Sequence, residues 1–254
     1  MNLIYDRLLS TYKSGQKAFA VLLDPDKLHE KNAEEIIRTA ESCNIDYFLV
    51  GGSILTQDFL EDVIIEIKRR TNVPVIIFPG SNQHISKKAD GILLLSLISG
   101  RNPEFLIGQH VTSAPVLKKS GLEILPTGYM LVDCGNQTTV SYMSNTTPIP
   151  YEKNDIAVCT AMAGEMLGLK LIFLDGGSGA AKPVNKKMIG AVRKSVDIPV
   201  IVGGGINTSS RALDALTAGA DLIVIGNGIE ERTELMHEVS ESIKELNSAM
   251  KQKI

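Results

Sequence analysis

Asp24-Pro25-Asp26-Lys27 stands directly after the apolar run Ala18 to Leu23. Two carboxylates one residue apart at a strand end suit Mg²⁺, which takes one or two carboxylates together with substrate phosphate oxygens. The competing reading is a Pro-Asp turn with Lys27 solvated, and Asp26 could equally cap a helix beginning near Leu28. Gly51-Gly52-Ser53 follows the next apolar run. The Ser53 hydroxyl could share a metal with Asp24 or cap a following helix. Asp175 ends a further run, inside Phe173-Leu174-Asp175-Gly176-Gly177-Ser178-Gly179. A carboxylate there could accept a proton from a neighbouring substrate hydroxyl, or be satisfied by loop amides.

Glycines cluster three times at the ends of short apolar runs: Gly176 to Gly179, Gly203-Gly204-Gly205 and Gly226-Asn227-Gly228. Glycine lets backbone N–H groups approach an anion with no Cβ in the way. The second cluster leads through Ile206-Asn207-Thr208-Ser209 into a helix N-terminus, whose unpaired amides favour phosphate. No cluster has dinucleotide or P-loop spacing. His29, His84, His110 and His237 are scattered, and only His84 falls in a loop that could face a ligand. Lys170 begins a strand instead of ending one, which argues against Schiff-base chemistry.

The elements that must carry these residues alternate from end to end. Strands are predicted at Ala18 to Leu23, Asp46 to Val50, Pro74 to Phe78, Gly91 to Leu95 and Leu122 to Cys134, then at the three glycine-terminated runs. Helices are predicted at His29 to Cys43, Thr56 to Arg70, Asn102 to Lys118, Glu152 to Leu167 and Glu231 to Met250, from apolar residues at helical spacing. The strand after Phe78 arrives too soon for a helix between, and the polar segment Gly135 to Pro150 reads as a loop. Eight strands alternating with helices over 254 residues predict an α/β fold, a modified (β/α)₈ TIM barrel with the third helix missing or replaced. Residues 1–254 read as one domain, and an open doubly wound sheet is the runner-up.

A 44% hydrophobic and 22% charged chain is an ordinary globular protein. The net charge of −3 offers no general attraction to nucleic acid. No apolar stretch approaches the ~18 residues of a membrane span, and Met1 to Arg7 has no signal-peptide pattern. Cys43, Cys134 and Cys159 form no metal or disulfide framework, which fits a reducing cytoplasm. Buried free thiols are the expectation for Cys43 and Cys159.

The chain resembles the geranylgeranylglyceryl phosphate synthases and their bacterial relatives, including heptaprenylglyceryl phosphate synthase. The resemblance rests on Leu23-Asp24-Pro25-Asp26-Lys27, Val50-Gly51-Gly52-Ser53, Phe78-Pro79-Gly80, Phe173 to Ala180, Val202 to Ile206 and Gly226-Asn227. It implies a Mg²⁺-dependent prenyltransferase that joins the C3 hydroxyl of sn-glycerol 1-phosphate to a prenyl diphosphate, with geranylgeranyl diphosphate as the expected donor. By the same resemblance Asp24 and Ser53 hold the metal. Phe173, Leu174, Asp175, Gly176, Gly177, Ser178, Gly179, Gly204, Gly205, Gly226 and Asn227 hold the glycerol phosphate. Leu22 stands where one subgroup carries Lys, which points to the second subgroup. Phe173 and Asp175 stand where the family often has Tyr and Glu, so Asp175 is expected to take the hydroxyl proton or only to orient it. A homo-oligomer and a transient meeting with a membrane surface are further expectations.

An apolar tail needs a groove, and Ile92 to Ile98 with Phe105 to Ile107 are candidate walls. Two rival readings stand beside this one: another phosphate-binding barrel enzyme of small-molecule biosynthesis, and a non-catalytic phosphate- or phospholipid-binding barrel.

Overall fold

Eight strands close a parallel barrel in strict sequence order, β1 pairing with both β2 and β8. The protein is described from a computed structural model covering residues 3–30 and 33–251. In chain order the elements begin with α1 (Leu3–Lys13), β1 (Ala18–Leu23), α2 (Pro25–Glu30), α3 (Ala33–Ser42) and β2 (Tyr47–Gly51). Next come α4 (Leu60–Arg70), β3 (Val75–Phe78), β4 (Gly91–Leu97), a π-helical turn (Glu104–Gly108) leading into α5 (Gln109–Lys118), and β5 (Glu123–Leu131). The chain continues through α6 (Thr139–Ser144), α7 (Asn154–Met166), β6 (Leu171–Asp175), α8 (Lys186–Arg193) and β7 (Val200–Gly203). It closes with α9 (Ser209–Ala218), β8 (Leu222–Ile225), α10 (Asn227–Glu231) and α11 (Leu235–Lys251).

Strand side chains alternate between two cores, as the period of two demands. Ala20, Tyr47, Leu49, Ile76, Phe78, Tyr129, Phe173 and Val224 fill the barrel. Val21, Phe48, Val50, Ile77, Leu174, Val202 and Ile225 point outward into the helical layer. There Leu60, Val63, Ile64 and Ile67 of α4 are buried at helical spacing, a stripe that seats the helix on the sheet.

Carboxylates order the end of the barrel remote from the glycine loops. Asp46, Asp90 and Asp221 each accept an N–H at the start of a neighbouring strand, from Phe19, Val75 and Val200, at 2.8–2.9 Å. Glu123 accepts both Ile4 and Tyr5 N–H at 2.8 Å, which caps α1 so that Ile4 and Leu8 plug the barrel floor. Lys170 lies at this end, its ammonium 4.8 Å from the Tyr5 ring centroid.

No helix lies between β3 and β4, as the sequence predicts. Several boundaries differ from expectation. The stretch from His29 to Cys43 is α2 and α3, with residues 31 and 32 outside the described residues. The helix predicted from Thr56 starts only at Leu60, and the one from Glu231 starts at Leu235, because Thr233 and Glu234 form a turn. The loop from Gly135 to Pro150 contains α6, held by a reciprocal cap between Thr138 and Ser141. Cys43 and Cys134 are buried but Cys159 is exposed, since α7 turns that position away from Ala157 and Ala161, which face the core.

Candidate active site

All the glycine loops converge at the C-terminal ends of the strands. Phe173 and Asp175 share one face of β6, so both point into the barrel while Leu174 points out. Phe78, Tyr129 and Phe173 form the floor, with ring centroids 5.6–6.0 Å apart. Above them Asp175 is 8% exposed. Tyr129 Oη donates to Asp175 Oδ2 at 2.5 Å, and Gly177 N–H donates to Oδ1 at 2.8 Å. Burial raises the Asp175 pKa above the ordinary 3.8 against the pull of those two donors. Burial likewise lifts the Tyr129 phenol well above its usual range, with the Asp175 charge adding to the effect. A desolvated carboxylate of raised basicity is suited to take a proton.

Gly177, Ser178, Gly179, Gly204, Gly205, Gly226 and Asn227 line one cavity of about 550 Å³ with Asp24, Ser53, Phe173 and Asp175. Gly204 has φ +81°, and a Cβ there would lie 2.6 Å from Gly176 N. Only glycine fits, and the close approach of the β6 and β7 loops is what narrows the cradle. Two expected members are absent from this lining. Leu174 is packed among the helices, and Gly176 gives its N–H to Gly203 O at 3.0 Å while sitting against Cys134.

Asp24 and Ser53 face the same cavity from adjacent strands. Asp24 Oδ1 accepts Asp26 N–H at 3.1 Å, so Asp24, not Asp26, caps α2. Asp26 instead takes Thr56 N–H and Oγ–H on its Oδ2 at 2.6 and 2.8 Å, tying down the loop that carries Ser53. Ser53 starts no helix, because residues 52–59 are irregular. Partial burial raises the Asp24 pKa, opposed by the Asp26 amide and by Lys27. Among the described residues no group of three or more His, Cys, Asp or Glu is gathered for a metal. One carboxylate and one hydroxyl are hard oxygen donors that fit an ion completed by substrate phosphate and water. His84 is not in the lining; its Nδ1 accepts Gly80 N–H at 3.1 Å.

A second, mainly apolar cleft runs under α5 where the third helix is missing. Ile92, Leu93, Leu94, Leu95, Leu97 and Phe105 line it, with Ser113 and Leu117. Of the expected walls, Ile98 is instead packed toward Gly128 and Gly164. Ser96, Leu106 and Ile107 are absent from the lining, and Ile107 is exposed. Gly52, Ser53, Phe78, Tyr129 and Val140 belong to both cleft and cavity, so the apolar channel opens beside Ser53.

Tyr129 and Lys27 are the residues that sequence reasoning left without a role. Pro126-Thr127-Gly128 interrupts the apolar pattern of the strand predicted from Leu122 to Cys134, yet β5 runs straight through it and Pro126 O accepts Lys170 N–H at 2.8 Å. The usable signal was the period of two, which puts Tyr129 on the same face as Leu125 and Leu131.

The PcrB family profile matches residues 12–246. Geranylgeranylglyceryl phosphate synthase of Spirosoma linguale is 56% identical over 246 residues, 96% of this chain and 99% of that protein. The enzyme of the same name from Thermococcus gammatolerans is 40% identical over 247 residues, 97% of each chain. The crystal structure of (S)-3-O-geranylgeranylglyceryl phosphate synthase from Thermoplasma acidophilum, in complex with its substrate sn-glycerol-1-phosphate, superimposes with a TM-score of 0.88 at 34% identity, covering 95% of this chain and 98% of that one. A thiamine phosphate pyrophosphorylase from Pyrococcus furiosus shares the barrel alone, with a TM-score of 0.55 at 14% identity over 92% of this chain and 98% of that one. The chain therefore belongs to the PcrB family, among relatives that are geranylgeranylglyceryl phosphate synthases.

Proposed function

We propose that this chain is a prenyltransferase that alkylates the C3 hydroxyl of sn-glycerol 1-phosphate with a prenyl diphosphate, geranylgeranyl diphosphate being the donor we favour. The observation that carries this reading is the junction at Gly52, Ser53, Phe78, Tyr129 and Val140, where an apolar cleft opens into a polar cavity. A prenyl diphosphate has that same division, and its reacting C1 lies at the boundary. The prenyl tail occupies the cleft and the glycerol phosphate occupies the glycine cradle.

The C1–O bond to diphosphate breaks, the glycerol C3 oxygen bonds to C1, and the hydroxyl proton passes to Asp175. Asp175 keeps free lone pairs beyond those used by Tyr129 and Gly177, since an ionised carboxylate offers about four acceptor sites. Tyr129 fixes the carboxylate's direction from β5. The aromatic floor excludes water from C1 as it gains cationic character. Orientation of the hydroxyl therefore matters as much as basicity. Asp24 and Ser53 would hold Mg²⁺, which supplies charge neutralisation to the departing diphosphate. Residues 1–254 act as one catalytic unit in this reading. Three cysteines without disulfides support a reducing compartment such as the cytoplasm, and among the described residues no helix is long and apolar enough to cross a membrane.

Asp24→Ala should lower turnover by at least about 10²-fold, while sn-glycerol 1-phosphate titrated calorimetrically still binds. Turnover near that of the parent chain would remove Asp24 from the metal site.

A further inference from the structure

The two anionic substrates of this reading meet a cavity with few cations. Its lining carries the carboxylates Asp24, Asp175, Glu230 and Glu231. Among the described lining residues, Lys27 is the sole lysine or arginine. Its ammonium stands at the rim between the two expected anion sites. It follows Asp24 by one turn of chain through α2, and it reaches across to the β8 loop, 2.8 Å from Glu230 Oε2 and 3.3 Å from Asn227 Oδ1. The Asn227 amide in turn lies 3.1 Å from Ser178 Oγ. A chain of polar side chains thus spans the β1, β8 and β6 loops over the glycine cradle.

Lys27 and Glu230 are not equivalent partners. The Glu230 side chain is 9% exposed and that of Lys27 is 42% exposed. The carboxylate is fixed in the protein, and the ammonium, held by it and by Asn227, presents its remaining N–H donor to solvent and cavity. An ammonium has three donors, so two protein partners leave one for a ligand. The neighbouring side chain Leu22 is apolar and offers no alternative.

We infer that the Lys27 ammonium binds a phosphate oxygen of substrate, with Glu230 and Asn227 as the residues that position it. This rests on the prenyltransferase reading for the identity of the anions, but not for their charge. The shared chemistry is a phosphate oxygen, and it can come from glycerol phosphate on the β8 side or from the diphosphate on the Asp24 side.

The test measures equilibrium binding of two probes to the full chain, sn-glycerol 1-phosphate alone and inorganic diphosphate with Mg²⁺, each across a range of salt. Lys27→Met should weaken at least one of them about tenfold, the scale of one lost charge-assisted hydrogen bond, and flatten its salt dependence. Lys27→Arg should recover part of the affinity. The probe that weakens identifies the source of the oxygen. Because Lys27→Met leaves Glu230 without this ammonium, the double variant Lys27→Met/Glu230→Gln is measured beside it and should show the same loss with the thermal midpoint of the parent chain. A parent chain that binds both probes while the folded variants match it within twofold overturns the role of Lys27 alone. A parent chain that binds neither probe overturns the anion site and the prenyltransferase reading with it.

Discussion

In the proposed mechanism Asp175 takes the hydroxyl proton, and its environment sets two opposing demands. Burial raises its pKa above 3.8, so the folded state favours the protonated acid more than the unfolded chain does. The stability from that preference is present below the ordinary carboxylate range and is lost as pH rises through the folded value. At neutral pH the ionised group costs stability, and the proposed proton transfer needs it ionised. Asp175→Asn should therefore lower kcat by about 10²–10⁴-fold while the thermal midpoint stays level or rises. The acid limb of kcat/KM in the parent chain should lie above pH 3.8. A stopped assay across pH with a melting curve on the same samples checks both. A folded Asp175→Asn chain with more than a tenth of the parent activity contradicts the proton-acceptor role. Asp175 was legible in the sequence from its place at the end of the short apolar run Leu171 to Leu174. Its partner Tyr129 was not, because nothing in the strand predicted from Leu122 to Cys134 marks which of its residues meets Asp175 across β5 and β6.

At the scale of elements, the decisive feature is the helix that is missing between β3 and β4. Its absence was readable from the short interval between two apolar runs. What fills the space was not readable, because the cleft depends on how the π-helical turn and α5 settle over β4. Periodicity alone cannot say that Ser113 faces the cleft while Val111 and Val116 are exposed. Helices α1 and α6 escaped detection for related reasons: α1 buries only Ile4 and Leu8, and α6 sits in a Thr/Ser/Asn stretch that composition assigns to loop. Ser113 is 7% exposed, and it does not belong to the junction with the polar cavity. Ser113→Phe should shorten the usable channel. The ratio of kcat/KM for a long prenyl donor over a short one should fall by about tenfold or more, the effect of a few unaccommodated methylenes. Competition between two donors in one reaction gives the ratio directly, and an unchanged ratio in the folded variant would place the tail elsewhere.

For the whole molecule, the two ends of the barrel divide labour. The C-terminal ends of the strands carry glycines, irregular loops and buried charge, none of which favours stability. The opposite end carries carboxylates that close strand ends and the α1 plug. Asp221 is central there, accepting Val200 N–H and Arg193 at 2.9 and 2.8 Å with Lys17 at 3.5 Å. Asp221→Ala leaves two poorly solvated cations unpaired and should destabilise the fold by about 3–5 kcal/mol, read by denaturant unfolding. Substrate KM values should stay within about twofold at temperatures where the variant is folded. A loss below about 1 kcal/mol would show that the cluster is not holding the barrel. The chain shares its barrel with a thiamine phosphate pyrophosphorylase at 14% identity, so the barrel alone does not set the chemistry. The scaffold end specifies a barrel, and the loop end specifies what it does.

Prenyl transfer to one enantiomer of glycerol phosphate is the central claim, and product analysis tests it most directly. The purified chain would be incubated with Mg²⁺, either enantiomer of glycerol phosphate, and prenyl diphosphates from ten to thirty-five carbons, and the lipid product identified by mass. A prenyl ether formed from sn-glycerol 1-phosphate, best with the twenty-carbon donor and lost when the metal is chelated, is the predicted result. No ether product from any donor, or equal product from the 3-phosphate, would contradict it.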